Sequence, residues 1–130
     1  MGDYAGPIQY PGRPIPEDAI KDFVKVMPEA QEHLEQVNRP YDRSVMIERM
    51  GLAMEVAKRN GLPLYCGEFA CIEHVPWEMR LAWYRDVVAA FQHHGIAYAH
   101  WGYKRGRDLF WIVEEDGTPS EIVDILLGSD

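Results

Sequence analysis

Gly61-Leu62-Pro63-Leu64-Tyr65-Cys66-Gly67-Glu68-Phe69 is the stretch on which the reading of the fold turns. It is an apolar run of strand length that follows a helical pattern directly and places a carboxylate beside a glycine. Upstream, from Asp42 or Ser44 to about Asn60, Met46, Met50, Ala53 and Ala57 recur at helical spacing, and Gly61 suits a C-terminal cap. Downstream, Pro76 opens a second helix whose apolar stripe is Leu81, Tyr84, Val88 and Phe91. His93, His94 and Gly95 close it, with the histidines near the negative end of the helix dipole. A second apolar run, Ile96-Ala97-Tyr98-Ala99-His100-Trp101, begins there. After it come a loop with Lys104, Arg105 and Arg107, a short extended piece over 109–113, and an Asp116-Gly117 turn. Thr118-Pro119-Ser120-Glu121 reads as a capping box with proline at the first helical position. Ile122, Ile125 and Leu126 form the buried face of that last helix, and Gly128 ends it.

The order is therefore helix–strand–helix–strand–helix, with apolar rather than alternating strands. Such strands joined by amphipathic helices predict an α/β fold with parallel strands covered by helices. Two strands do not make an independent parallel sheet. Their open edges and apolar surface predict a homo-oligomer, or a partner that bears complementary strands. Residues 1–16 carry Pro7, Pro11, Pro14 and Pro16 with Gly6 and Gly12 among them, so they read as a loop. Residues 17–37 are polar and helical in part, with Pro28 interrupting.

Composition narrows the function classes. In 130 residues there are 13 basic and 21 acidic side chains, a formal charge of −8. That balance speaks against nucleic acid and against an anionic membrane surface as partners. No run approaches the ~18 apolar residues of a membrane span, and no basic-then-apolar signal pattern opens the chain. Cys66 and Cys71 are too few for a disulfide framework or a four-ligand zinc site, no residue spacing supports a metal site, and no cofactor is expected. Four Trp and seven Tyr are many for this length, and such rings stack on sugars as well as filling cores.

Two residues stand where α/β barrels build active sites, at the C-terminal ends of parallel strands. Glu68 continues a side of its strand that also holds Leu64 and Cys66, where an unpaired carboxylate would be costly if buried. Taken alone, Glu68 reads equally well as the start of a surface loop. Trp101 ends the next strand and offers a flat floor for a sugar ring, or else a rim aromatic. Glu73, Glu78, Glu114 and Glu115 are possible second carboxylates by type only, the last two more simply part of a solvated turn. His74 and His100 read more simply as structural histidines than as ligands, and strand alternation turns His100 away from the face of Trp101. Cys66 reads as a small buried hydrophobe. Lys104, Arg105 and Arg107 form a solvated loop more simply than an anion site.

The stretches GLPLYCGEF, RLAWYRDVVAAFQHHGIAYAHWGYK and IVEEDGTPSEIVDILLG resemble glycoside hydrolase family 5, the cellulase-type (β/α)₈ barrels. Residues from about 42 to 128 resemble its seventh and eighth strands with their helices, and YAGPIQYPGRP resembles the loop after strand six. The resemblance implies that residues 1–130 are the C-terminal portion of one TIM-barrel domain, and the open strand edges predict that oligomerisation completes it. It implies Glu68 as nucleophile, Trp101 as sugar platform, β-1,4-glucan oligosaccharide or polysaccharide as substrate, and secretion. A retaining glycosidase needs two carboxyls ~5–5.5 Å apart, one ionised nucleophile and one acid that holds its proton. The family's acid/base glutamate follows an asparagine, and these 130 residues contain no Asn-Glu pair. The family's strand-six His and Tyr pair has no counterpart either, with Tyr4 and Tyr10 falling in the following loop. These departures predict little or no hydrolysis by this chain alone. The alternative is a non-catalytic half-barrel that binds carbohydrate or assembles.

Overall fold

The computed structural model describes residues 8–128, so Tyr4 and the first part of the opening loop lie outside the described residues. Its contacts divide into two compact units, 1–42 and 43–130.

In the first unit, an irregular stretch leads into α1 (Glu17–Val26), a 3₁₀ turn (Pro28–Ala30) and α2 (Gln31–Val37). The interruption falls at Pro28, whose ring removes a helical donor. The loop is tied down by Asn38, which is buried and bonds Ile15 twice. Its Oδ1 accepts from the Ile15 N–H at 2.7 Å and its Nδ2 donates to the Ile15 carbonyl at 2.8 Å. That clasp lets Ile15 and Leu34 be buried without orphaned backbone groups.

The second unit runs α3 (Arg43–Asn60), β1 (Tyr65–Phe69), α4 (Trp77–His94), β2 (Ala97–His100) and α5 (Glu121–Leu127). β1 and β2 pair in parallel, and α4 packs against both α3 and α5. The α4 stripe is buried as its spacing predicts, with Leu81, Tyr84, Val87, Val88 and Phe91 forming the centre of the core. Gly95 ends α4 in the left-handed region at φ 66°, where its N–H bonds Gln92 and the Ile96 N–H bonds Phe91.

Three local expectations are revised. On α3 Met46 and Ala57 are buried and Met50 and Met54 half-buried, while Ala53 is exposed, so the inner row passes through Met54 rather than Ala53. Pro119 precedes α5, and the Ser120 hydroxyl donates to the Ile112 carbonyl at 2.7 Å instead of capping the helix. Residues 109–113 form bridges at single residues rather than a strand, with Val113 linked to both Lys104 and Pro119.

Candidate active site

Phe69 is the hub that orients the end of β1. Its ring meets Trp83, Tyr84 and Phe91 of α4 and Tyr98 and His100 of β2, at centroid distances from 5.0 to 6.3 Å. The ladder is irregular between Cys66 and Phe69: Cys66 pairs with Tyr98 and Phe69 with His100, so an extra residue of β1 is accommodated. Glu68 is exposed, and Phe69, the residue after it, packs inward against α4.

Trp101 follows directly at the end of β2. Its N–H donates to the Phe69 carbonyl at 3.0 Å, which places it beside the residue after Glu68. The indole is 52% exposed and the ring of Tyr103 65% exposed. The fold therefore delivers a carboxylate and an open indole at the same ends of two adjacent parallel strands.

Several other titratable residues are engaged elsewhere. The Trp111 indole N–H donates to the Glu73 carboxylate. Arg105 donates to Glu114 at 3.1 Å, and Glu115 lies against Gly106. Glu78 and His74 are exposed, and His94 bonds the Ile47 carbonyl at 2.8 Å. Burial pushes the Cys71 thiol up to about 11, leaving it protonated and a poor nucleophile at neutral pH. Cys66 is half-buried and donates to the Glu68 carbonyl at 3.4 Å. Among the described residues no group of three His, Cys, Asp or Glu side chains is placed to hold a metal ion, and no helix is long and apolar enough to cross a membrane.

Sequence reasoning passed over Arg80 and Trp111. Arg80 is 1% exposed, its guanidinium 4.9 Å from the centroid of Trp111 and 5.5 Å from that of Trp77. It donates to the Trp111 carbonyl at 3.0 Å, so two π faces and one acceptor offset part of the desolvation of the cation, while its buried Nε has no hydrogen-bond partner among the described residues. Its signal was present, since position 80 lies four before Tyr84 on the buried stripe.

His100 faces this side. Burial, assisted by the nearby Arg80 charge, holds its imidazole below the usual histidine range of about 6.5. The unfolded chain therefore takes up this proton at a higher pH than the folded one. Stability from this group is present above 6.5 and falls as pH drops from there toward the lowered folded value. Denaturant titrations at pH 7.5 and pH 5 should show a loss for the wild type that is smaller in His100→Asn. Equal losses would show that His100 does not titrate in this window.

No protein-family model matches the chain. Endoglucanase C of Acetivibrio thermocellus is 30% identical over 125 residues, which cover 95% of this chain and 35% of the relative. Endoglucanase C307 of Clostridium sp. (strain F1) matches over the same extent at the same identity. This chain is similar to endoglucanases over nearly its whole length. It spans about a third of the length of these curated relatives. Among solved structures, a hyperthermophilic endo-β-1,4-glucanase in complex with substrate has a TM-score of 0.60 at 23% identity, over 66% of this chain and 27% of that one. Thermotoga maritima Cel5A in complex with mannotriose has a TM-score of 0.56 at 22% identity, over 78% and 32%. These neighbours are TIM-barrel endoglucanases, and the likeness extends to the fold: an α/β piece with two parallel strands.

Proposed function

We propose that this chain is the nucleophile-bearing part of a retaining β-glycoside hydrolase of family 5 that acts on β-1,4-glucan. One observation carries the reading: Glu68 and Trp101 are both exposed at the C-terminal ends of register-paired parallel strands. Glu68 would attack the anomeric carbon, and Trp101 would hold the apolar face of the sugar beside it. The similarity to endoglucanases supports this chemistry, and the cellobiose and mannotriose complexes of a neighbour support a β-linked hexose polymer.

The acid/base has no counterpart in these 130 residues. Glu73 is committed to Trp111 and Glu114 to Arg105, so two of the candidate second carboxylates are already occupied. The expected result is no measurable hydrolysis of carboxymethyl cellulose by this chain alone. Ordinary turnover that disappears in Glu68→Gln would sink that expectation. The same occupied carboxylates favour a second reading, a carbohydrate-binding module without catalysis. Affinity for cellotetraose should survive Glu68→Gln and be lost in Trp101→Ala if the chain is a binding module, whereas a catalytic piece depends on Glu68 for any covalent or hydrolytic chemistry.

We further propose that the chain associates. Among the described residues each strand has one neighbour, and Tyr65 on β1 is exposed. A second copy or a complementary barrel segment would extend the sheet. Light scattering should give a mass above that of one chain; a strictly monomeric species would refute self-association.

A further inference from the structure

Behind the Trp101 turn lies a chain of hydrogen bonds that the proposed chemistry does not use. The Cys71 N–H donates to the Tyr84 hydroxyl at 3.0 Å, and that hydroxyl lies 2.7 Å from His100 Nε2. His100 Nδ1 lies 3.1 Å from the Gly102 carbonyl. A carbonyl only accepts, so Nδ1 carries the proton of the neutral ring. Nε2 then accepts from the Tyr84 O–H, while the Tyr84 oxygen keeps a lone pair for Cys71. Each group in the chain is satisfied.

The far side of the same turn is held as firmly. Asp108 accepts from the Tyr103 N–H at 3.2 Å and from the Phe110 N–H at 2.7 Å. Gly102 sits at φ 91°, and a β-carbon there would come within 2.6 Å of Asp108 Oδ1 and 2.7 Å of the Phe110 carbonyl. Trp101-Gly102-Tyr103 is thus gripped from the strand side by His100 and from the loop side by Asp108. The two aromatic rings of the turn remain open.

We infer that Tyr84 and His100 are positioning residues, which hold the Trp101 turn so that its indole faces the place beside Glu68. The sugar-binding consequence rests on the glycosidase reading above; the positioning itself does not. Protonation reverses the grip. An imidazolium presents Nε2–H to the Tyr84 oxygen, which already accepts from Cys71, and the Tyr84 hydrogen must then find another acceptor in a half-buried place. The charged and titratable groups facing His100 are Tyr84 and Arg80 from α4 and Asp108 from the following loop, with Cys71 behind Tyr84. Arg80 opposes the added proton and Asp108 favours it.

The test follows the Trp101 indole N–H by NMR in the 130-residue protein, its cross-peak assigned with Trp101→Phe, and the His100 tautomer by long-range ¹⁵N correlation. The wild type should show the Nδ1–H tautomer at pH 7.5 and a Trp101 cross-peak that shifts together with His100 as pH falls to 5. His100→Asn keeps a donor toward Gly102, so its cross-peak should stay at the wild-type pH 7.5 position throughout. His100→Leu should displace the cross-peak at every pH and weaken cellotetraose binding about tenfold, against less than about twofold for His100→Asn. Should His100→Leu fail to fold, Tyr84→Phe removes one hydroxyl and should move both the His100 titration and the Trp101 cross-peak. A Trp101 cross-peak identical to wild type in His100→Leu, or in Tyr84→Phe, overturns the inference. Coupled cross-peaks without cellotetraose binding in any form uphold the positioning role and overturn the glycosidase reading instead.

Discussion

Incubation with a dinitrophenyl 2-fluoro-β-cellobioside should add the mass of one 2-fluorocellobiosyl group, with the modified residue mapping to Glu68. The bond from the anomeric carbon to the phenolic oxygen breaks, the pair of electrons leaving with dinitrophenolate, as a Glu68 oxygen forms the new ester bond. Such a leaving group departs with little proton assistance, so the step needs the nucleophile and the sugar platform but not a general acid. The 2-fluoro substituent withdraws electron density from the cationic transition state and slows the hydrolysis of the ester, so that the adduct accumulates. Glu68→Gln removes the attacking oxygen anion and should give no adduct. Trp101→Ala should slow labelling while leaving its site unchanged. An unmodified wild type would mean that Glu68, although exposed beside Trp101, is not held in working geometry. The chain would then be better described as a barrel piece that binds or assembles.

Phe91→Ala should cost the second unit about 3–5 kcal/mol, a large share of the ~5–15 kcal/mol that stabilises an ordinary domain. Phe91 is 3% exposed, set edge-on to Phe69 at 5.0 Å and stacked with Tyr98 at 5.1 Å. Its removal opens a cavity under both strands at once and takes away two aromatic pairs, each worth about 0.5–1.5 kcal/mol beyond area burial. Leu127→Ala, on a residue 74% exposed at the end of α5, should change stability by no more than about 0.5 kcal/mol. Denaturant midpoints of the two variants measure the contrast. A Phe91→Ala protein as stable as wild type would show that the core does not centre on α4. Because Phe69 adjoins Glu68, the same variant should also weaken labelling.

Legibility followed the range of the physics involved. The α4 stripe, its glycine stop and the apolar strand that follows are local matters of period and backbone freedom, and they read directly from Leu81, Tyr84, Val88, Phe91 and Gly95. Glu68 and Trp101 were legible as strand-end residues for the same reason. The irregular register between Cys66 and Phe69 was not, because it exists only in the pairing with β2. Arg80 was read past because a cation on a buried stripe makes sense only once Trp77 and Trp111, far along the chain, have closed around it. Glu73 looked available until Trp111 took its carboxylate.

By itself the sequence determined the order of the elements in the second unit, the glycine stop of α4 and the places of Glu68 and Trp101 at strand ends, because each depends on neighbours within a few turns of chain. Only the tertiary structure decided that Phe69 packs against α4 while Glu68 is exposed, that His100 bonds both Tyr84 and the Gly102 carbonyl, and that Trp111 and Arg105 engage Glu73 and Glu114. Those outcomes depend on hydrogen bonds and ring contacts between residues distant in sequence, and no local period records them.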